Sequence, residues 1–125
     1  MHIFRFLALF IIIFILSCSK EAPKKLVINE KSLESQVSEA YIEGITSLKS
    51  RDVLYAAKKF NEAEMLFPQS EWAPKSALMA AYSYYSQDYY ADAIAELQRF
   101  IRVYPKSKDL DYAYYLLGIS YYEQI

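Results

Sequence analysis

The chain has 125 residues, with 14 Lys plus Arg against 15 Asp plus Glu, one histidine, one cysteine and two glycines. A formal net charge of −1 without a basic stripe speaks against nucleic-acid binding. His2 and Cys18 both lie at the N-terminal end and Gly44 is far from Gly118, so a zinc site, a cysteine nucleophile, a histidine-based triad and a glycine-rich phosphate loop all lack raw material.

Arg5 and the amino terminus precede a run of uncharged, mostly apolar residues from Phe6 to Leu16, which ends at Ser17 and Cys18. A membrane span needs roughly 20 apolar residues, and this run is shorter. A positive start, an apolar centre and a small residue at the end predict a signal peptide over 1–17. Ile15-Leu16-Ser17-Cys18 resembles the lipobox of bacterial lipoproteins. That resemblance implies that Cys18 becomes the first residue of the mature chain, N-acylated and S-diacylglycerol-modified, with chains such as palmitate in the bilayer. Each buried methylene contributes about 0.8 kcal/mol, so several acyl chains hold firmly. The other readings are a cleaved signal with an incidental cysteine and an uncleaved N-terminal anchor. In lipoproteins of this kind an aspartate after the cysteine marks inner-membrane retention; Ser19 stands there, which implies the outer membrane and its periplasmic face.

The segment 18–31 is polar, contains Pro23 and is expected to be a tether reaching on the order of 40 Å. Lys20, Lys24 and Lys25 either solvate it or touch lipid head groups, and Leu26-Val27-Ile28 are read as a short strand-like contact. Removing residues 1–17 leaves 108 residues, enough for one modest domain, which is expected over 32–125.

From about Ser32 the pattern is all-α. Val37, Ala40, Tyr41, Gly44, Ile45 and Leu48 recur at three and four spacing, as do Val53, Ala56, Phe60, Ala63 and Phe67, and Pro68 stops the second series. The series then repeats. Phe67-Pro68 and Tyr104-Pro105 are 37 residues apart, as are Ala56 and Ala93, and Phe60 and Leu97. Tyr114-x2-Leu117-Gly118-x2-Tyr121, with Ala56-x3-Phe60 and then Pro68, follows the tetratricopeptide pattern, tyrosine replacing its tryptophan. The predicted fold is therefore a helix-turn-helix solenoid of about two and a half repeats, near 37–70, 74–107 and 111–125, the last incomplete. Small residues at Gly44, Ala56, Ala63, Ala81 and Ala93 are expected to let paired helices approach closely. The repeats exceed the usual length by about three residues, expected in loops at 69–74 and 106–111. The acid pairs Glu62 with Glu64 and Asp109 with Asp111 are read as solvated helix face or loop rather than acid–base machinery.

At family level the chain is similar to the BamD (ComL) tetratricopeptide lipoproteins. The similarity rests on Phe67-Pro68-Gln69-Ser70-Glu71-Trp72-Ala73, Ala80-Ala81-Tyr82-Ser83-Tyr84-Tyr85, Tyr89-Tyr90-Ala91-Asp92-Ala93-Ile94, Arg99-Phe100-Ile101-Arg102, Tyr104-Pro105, Asp111-Tyr112-Ala113-Tyr114-Tyr115 and Tyr121-Tyr122-Glu123-Gln124-Ile125. It implies a non-enzymatic scaffold of the outer-membrane β-barrel assembly (BAM) complex, without a cofactor, that assists recognition and insertion of β-barrel proteins. Its partners would be BAM subunits including BamA, unfolded barrel precursors, and the membrane through the lipid. Family members carry more repeats, so the resemblance implies the N-terminal half only. In the family that it resembles, docking on BamA depends largely on the C-terminal half, and the resemblance links the N-terminal half to recognition of the aromatic-ending C-terminal strand of precursors. A tetratricopeptide lipoprotein serving pilus assembly or cell-wall coordination is the alternative.

In such an array the first helix of each pair lines the concave face. Here that places Tyr41, Ile45 and Leu48, then Leu78, Tyr82 and Tyr85, then Tyr115, Ile119 and Tyr122 on it. Tyrosine offers a large contact area, a polar tip and few torsions to freeze. Tyr41, Tyr82, Tyr85, Tyr115 and Tyr122 are the candidate lining of a groove for an extended apolar-aromatic peptide, inter-repeat packing being the other reading. For Tyr84, Tyr114 and Tyr121 packing is expected.

Overall fold

A computed structural model describes residues 30–125, with side chains from residue 33. The expected signal peptide, Cys18, the lysine cluster and the Leu26-Val27-Ile28 contact lie outside the described residues. Five helices follow one another: α1 (Glu30–Lys49), α2 (Val53–Leu66), α3 (Trp72–Tyr85), α4 (Tyr90–Val103) and α5 (Leu110–Glu123), and there is no strand among the described residues.

Local chemistry sets the boundaries. Asp52 begins α2 by accepting the Tyr55 N–H on its side chain at 3.2 Å. Phe67, ahead of Pro68, ends α2, and Tyr104, ahead of Pro105, ends α4. Pro74 falls in the first turn of α3, where its missing N–H leaves no bond unmade. The two hairpins turn at equivalent places: Arg51 (φ 65°) and Asp88 (φ 64°), 37 residues apart, both adopt the left-handed conformation. The sequence repeat is thus also a repeat of backbone geometry.

Packing follows the small residues. Ala56, Phe60 and Ala63 on α2 and Ala93, Leu97 and Phe100 on α4 are fully buried. Gly44 lets α1 approach α2, since a Cβ there would stand 2.8 Å from Phe60 Cε1. The core runs along the array as three clusters: Val37, Ala40 and Ala63 at one end, Ala57, Phe60 and Ala80 in the middle, and Ala77, Ala81, Leu97, Ala113 and Leu116 at the other. Each helix packs on its sequence neighbours, and α3 also touches both α1 and α5, whereas α2 and α4 do not approach within backbone contact. First helices crowded together and second helices splayed apart make a tetratricopeptide-like solenoid concave on the α1–α3–α5 side.

The splayed outer side is bridged by side chains, and here Glu64 departs from the solvated role expected of it. Glu62 is a surface residue paired with Lys59 at 3.0 Å. Glu64 is only 8 % exposed. Its carboxylate accepts two bonds from Arg99, at 2.8 and 2.7 Å, and one from the Tyr104 hydroxyl at 2.6 Å. Arg99 Nε donates in turn to Glu96 at 2.9 Å. A polar residue on α2 therefore meets its partners on and just after α4, 35 and 40 positions away, where one long planar guanidinium spans the gap.

Candidate peptide-binding groove

The concave side carries a cleft of about 330 Å³ between α1, α3 and the start of α5. Tyr41, Leu78, Met79, Tyr82 and Tyr112 form its apolar and aromatic lining. Lys75 and Asp109 also line it and continue into an adjoining cleft with Glu71, Pro74, Ser107 and Lys108. Helical spacing explains the convergence: Lys75, Leu78, Met79 and Tyr82 stand one turn apart along α3, which lies between the other two first helices.

The lining is held from behind. Tyr41 is set edge-on against both Phe60 and Trp72, each with ring centroids 5.2 Å away. Tyr82 and Tyr85 are half-buried, with their inner faces on the cluster of Ala81, Leu97, Phe100 and Leu116. Tyr85 meets Tyr90 at 5.8 Å, and Tyr112 meets Tyr115 at 6.4 Å. Rings fixed this way present contact area without a further entropic cost of ordering.

The five expected tyrosines are not equally placed. Tyr41 and Tyr82 line the cleft, while Tyr85 and Tyr115 flank it through their proximity to Tyr112. Tyr122 is 74 % exposed near the end of α5, and among the described residues no ring contact or hydrogen bond joins it to the other four. Ile45 and Leu48 turn into the α1–α2 core around Phe60. Tyr84 packs partly on that same core, as expected. Tyr114 and Tyr121 instead are 54 % and 47 % exposed. Their counterparts one repeat earlier, Ala77 and Tyr84, are covered by neighbouring helices, whereas Tyr121 is held at its hydroxyl by the Gln98 side-chain N–H, donated at 2.8 Å.

Periodicity missed Lys75, Met79, Asp109 and Tyr112 in the lining, and Tyr112 is the aromatic among them. The positions equivalent to it are Lys75 and Ser38, three residues that differ in size and charge, so no repeated signal marks the site. Burial, with the neighbouring phenols of Tyr82, Tyr115 and Tyr85, pushes the Tyr112 hydroxyl above its ordinary pKa. Burial does the same for Tyr41. Tyr90 is pushed up to about 12, chiefly because it donates to Asp88 at 2.8 Å. The phenols of Tyr41 and Tyr112 stay neutral at physiological pH and offer O–H groups that both donate and accept, as the backbone of an extended peptide requires.

Among the described residues no group of three or more His, Cys, Asp or Glu is placed to hold a metal, and no helix is long and apolar enough to cross a membrane.

Residues 33–125 match the family model described as outer membrane lipoprotein, YfiO. The chain is 37 % identical over 108 residues to the outer membrane protein assembly factor BamD of Caulobacter vibrioides, covering 86 % of this chain and 34 % of that protein. It is 33 % identical to the protein of the same name from Rickettsia prowazekii, over 75 % of this chain and 38 % of that one. For the one from Neisseria gonorrhoeae the identity is 35 %, over 70 % and 33 % respectively. The chain thus spans about a third of the length of these relatives, less than the half that the resemblance implied.

Proposed function

Because this chain belongs to the YfiO family of outer membrane lipoproteins, we propose that it is a non-enzymatic scaffold of the β-barrel assembly machinery, held at the periplasmic face of the outer membrane by lipid on Cys18. Its relatives are named outer membrane protein assembly factors. The observation that carries the reading is the tyrosine-lined cleft on the concave side. Neutral phenols over a rigid aromatic floor suit an unfolded barrel segment, whose alternating side chains are apolar and whose backbone bonds are unmet. Tyr41, Tyr82 and Tyr112 contact the segment, Tyr85 and Tyr115 extend the surface, and the BAM subunits, BamA among them, receive it.

The groove is tested with the double variant Tyr82→Ala/Tyr85→Ala and a short alternating apolar–polar peptide ending in phenylalanine. Binding is expected to weaken by roughly 30-fold, the loss typical of removing an aromatic anchor. Unchanged affinity in a variant of full helicity would remove the groove from the reading.

The anchor has its own test. Mass spectrometry of the membrane-extracted protein is expected to find diacylglyceryl and acyl groups on Cys18, and an unmodified thiol in that fraction would rule the anchor out.

A further inference from the structure

The outer side of the solenoid, where α2 and α4 splay, carries two clefts that join. One, of about 670 Å³, follows Lys58, Asn61, Glu62 and Met65, a single stripe of α2 at three and four spacing, beside Tyr84 of α3. The other, of about 370 Å³, shares Asn61 and Met65 and crosses to Glu96, Arg99 and Val103 on α4. Met65 and Val103 are both exposed. At the junction the Asn61 side-chain oxygen is enclosed and has no hydrogen-bond partner among the described residues, so an N–H donor is missing there. Lys59 serves both Glu43 and Glu62, and Arg99 serves both Glu64 and Glu96, which leaves two negative charges over. Lys58 in the cleft offsets one of them. The groove therefore suits apolar side chains, an amide donor and one further cation.

We propose that the chain's own segment Lys24-Lys25-Leu26-Val27-Ile28 docks along this outer groove. In an extended segment alternate residues share a side, which sets Lys24, Leu26 and Ile28 together. Leu26 and Ile28 cover Val103 and Met65, Lys24 supplies the further cation beside Glu62 and Glu96, and a backbone N–H donates to Asn61. Position and length allow this. Val37 of α1 is buried with Ala63 and beside Leu66, so Glu30, two turns or about 10 Å further along α1, stands at the end of the array where α2 finishes and the groove opens past Pro68. Residues 24–29 reach about 20 Å, enough to turn back there and run the one helical turn from Met65 to Asn61. The docking stands apart from the concave groove and from the lipid, and its consequence rests on the anchor reading: with lipid on Cys18 the free leash shrinks to 18–23, about 20 Å at most, and the outer side is held toward the bilayer.

Hydrogen exchange read by mass spectrometry tests this on the full chain in nanodiscs of neutral phosphatidylcholine. The comparison is with Met65→Ser/Val103→Ser, two exposed positions whose replacement leaves the buried core intact. The amides of 25–28 are expected to exchange about tenfold more slowly in the unaltered chain than in the double variant. Equal exchange in the two, at full helicity, would overturn the proposal. Protection that grows with protein concentration would overturn it in favour of a second copy of the chain on the groove. Protection that appears only when phosphatidylglycerol is added would overturn it in favour of lipid head groups holding the lysines.

Discussion

Gly44→Ala is expected to destabilise the domain while Gly118→Ala stabilises it, although the two glycines occupy equivalent turns of first helices. A Cβ at position 44 would sit 2.8 Å from Phe60 Cε1 and 2.9 Å from Cδ1. That ring cannot step aside cheaply, because it is fully buried and lies edge-on to Tyr41 at 5.2 Å. Overpacking of this kind costs about 1–3 kcal/mol. At position 118 a Cβ meets nothing within 4 Å. Alanine improves on glycine inside a helix by about 1 kcal/mol, and this gain is common to both substitutions. It cancels in the comparison, so the difference between the two urea-unfolding free energies isolates the clash, at about 1–3 kcal/mol. Equal stabilisation at both sites would mean that Phe60 moves freely and that close approach of α1 to α2 does not depend on Gly44. The effect reaches the groove as well, because Phe60 supports Tyr41: Gly44→Ala should weaken peptide binding, and Gly118→Ala should not.

The same contrast marks what the amino-acid order discloses and what it hides. Gly44, Ala56, Ala63 and Ala93 announce the solenoid because a close helix crossing demands a small residue at a fixed place in every unit, and periodicity then exposes the demand. Tyr41 and Tyr82 were legible for the same reason, lying at one face of the first helices. Tyr112 was not, since its equivalents Lys75 and Ser38 differ and a cleft requires no common residue type along its length. Nor could the exposure of Tyr114 and Tyr121 be seen from a repeat pattern, which assigns each position the environment of its counterparts. The Glu64–Arg99 bridge lay furthest from view. Helical surface pairs are three or four residues apart, and nothing local distinguishes a glutamate facing water from one facing the next repeat.

That bridge carries the second large expected effect. Arg99→Met leaves the carboxylate of Glu64 nearly enclosed, accepting only from Tyr104. Breaking a buried pair on one side costs about 3–5 kcal/mol; because the Arg99 side chain is 33 % exposed, about 2–3 kcal/mol is expected. Glu64→Leu added to Arg99→Met should recover most of this loss, since an apolar pair of similar size needs no desolvated charge. The pH dependence should change sign. In the unaltered chain burial alone would raise the Glu64 pKa, but the bonds from Arg99 and Tyr104 and the guanidinium charge together hold it below its ordinary value. A lowered pKa gives stability that is present above the unfolded value of about 4.3 and is lost as pH falls through the folded value. Without Arg99, burial prevails over the remaining hydroxyl and the pKa rises, so stability should fall as pH rises above about 4.3. Urea midpoints from about pH 4 to 7 read the sign directly once the Arg99→Met/Glu64→Leu profile, which lacks the carboxyl, is subtracted. A parallel pair of profiles would show that Arg99 does not govern Glu64. With the sign reversed, the Arg99 guanidinium would be what keeps the enclosed Glu64 carboxylate ionised between α2 and α4.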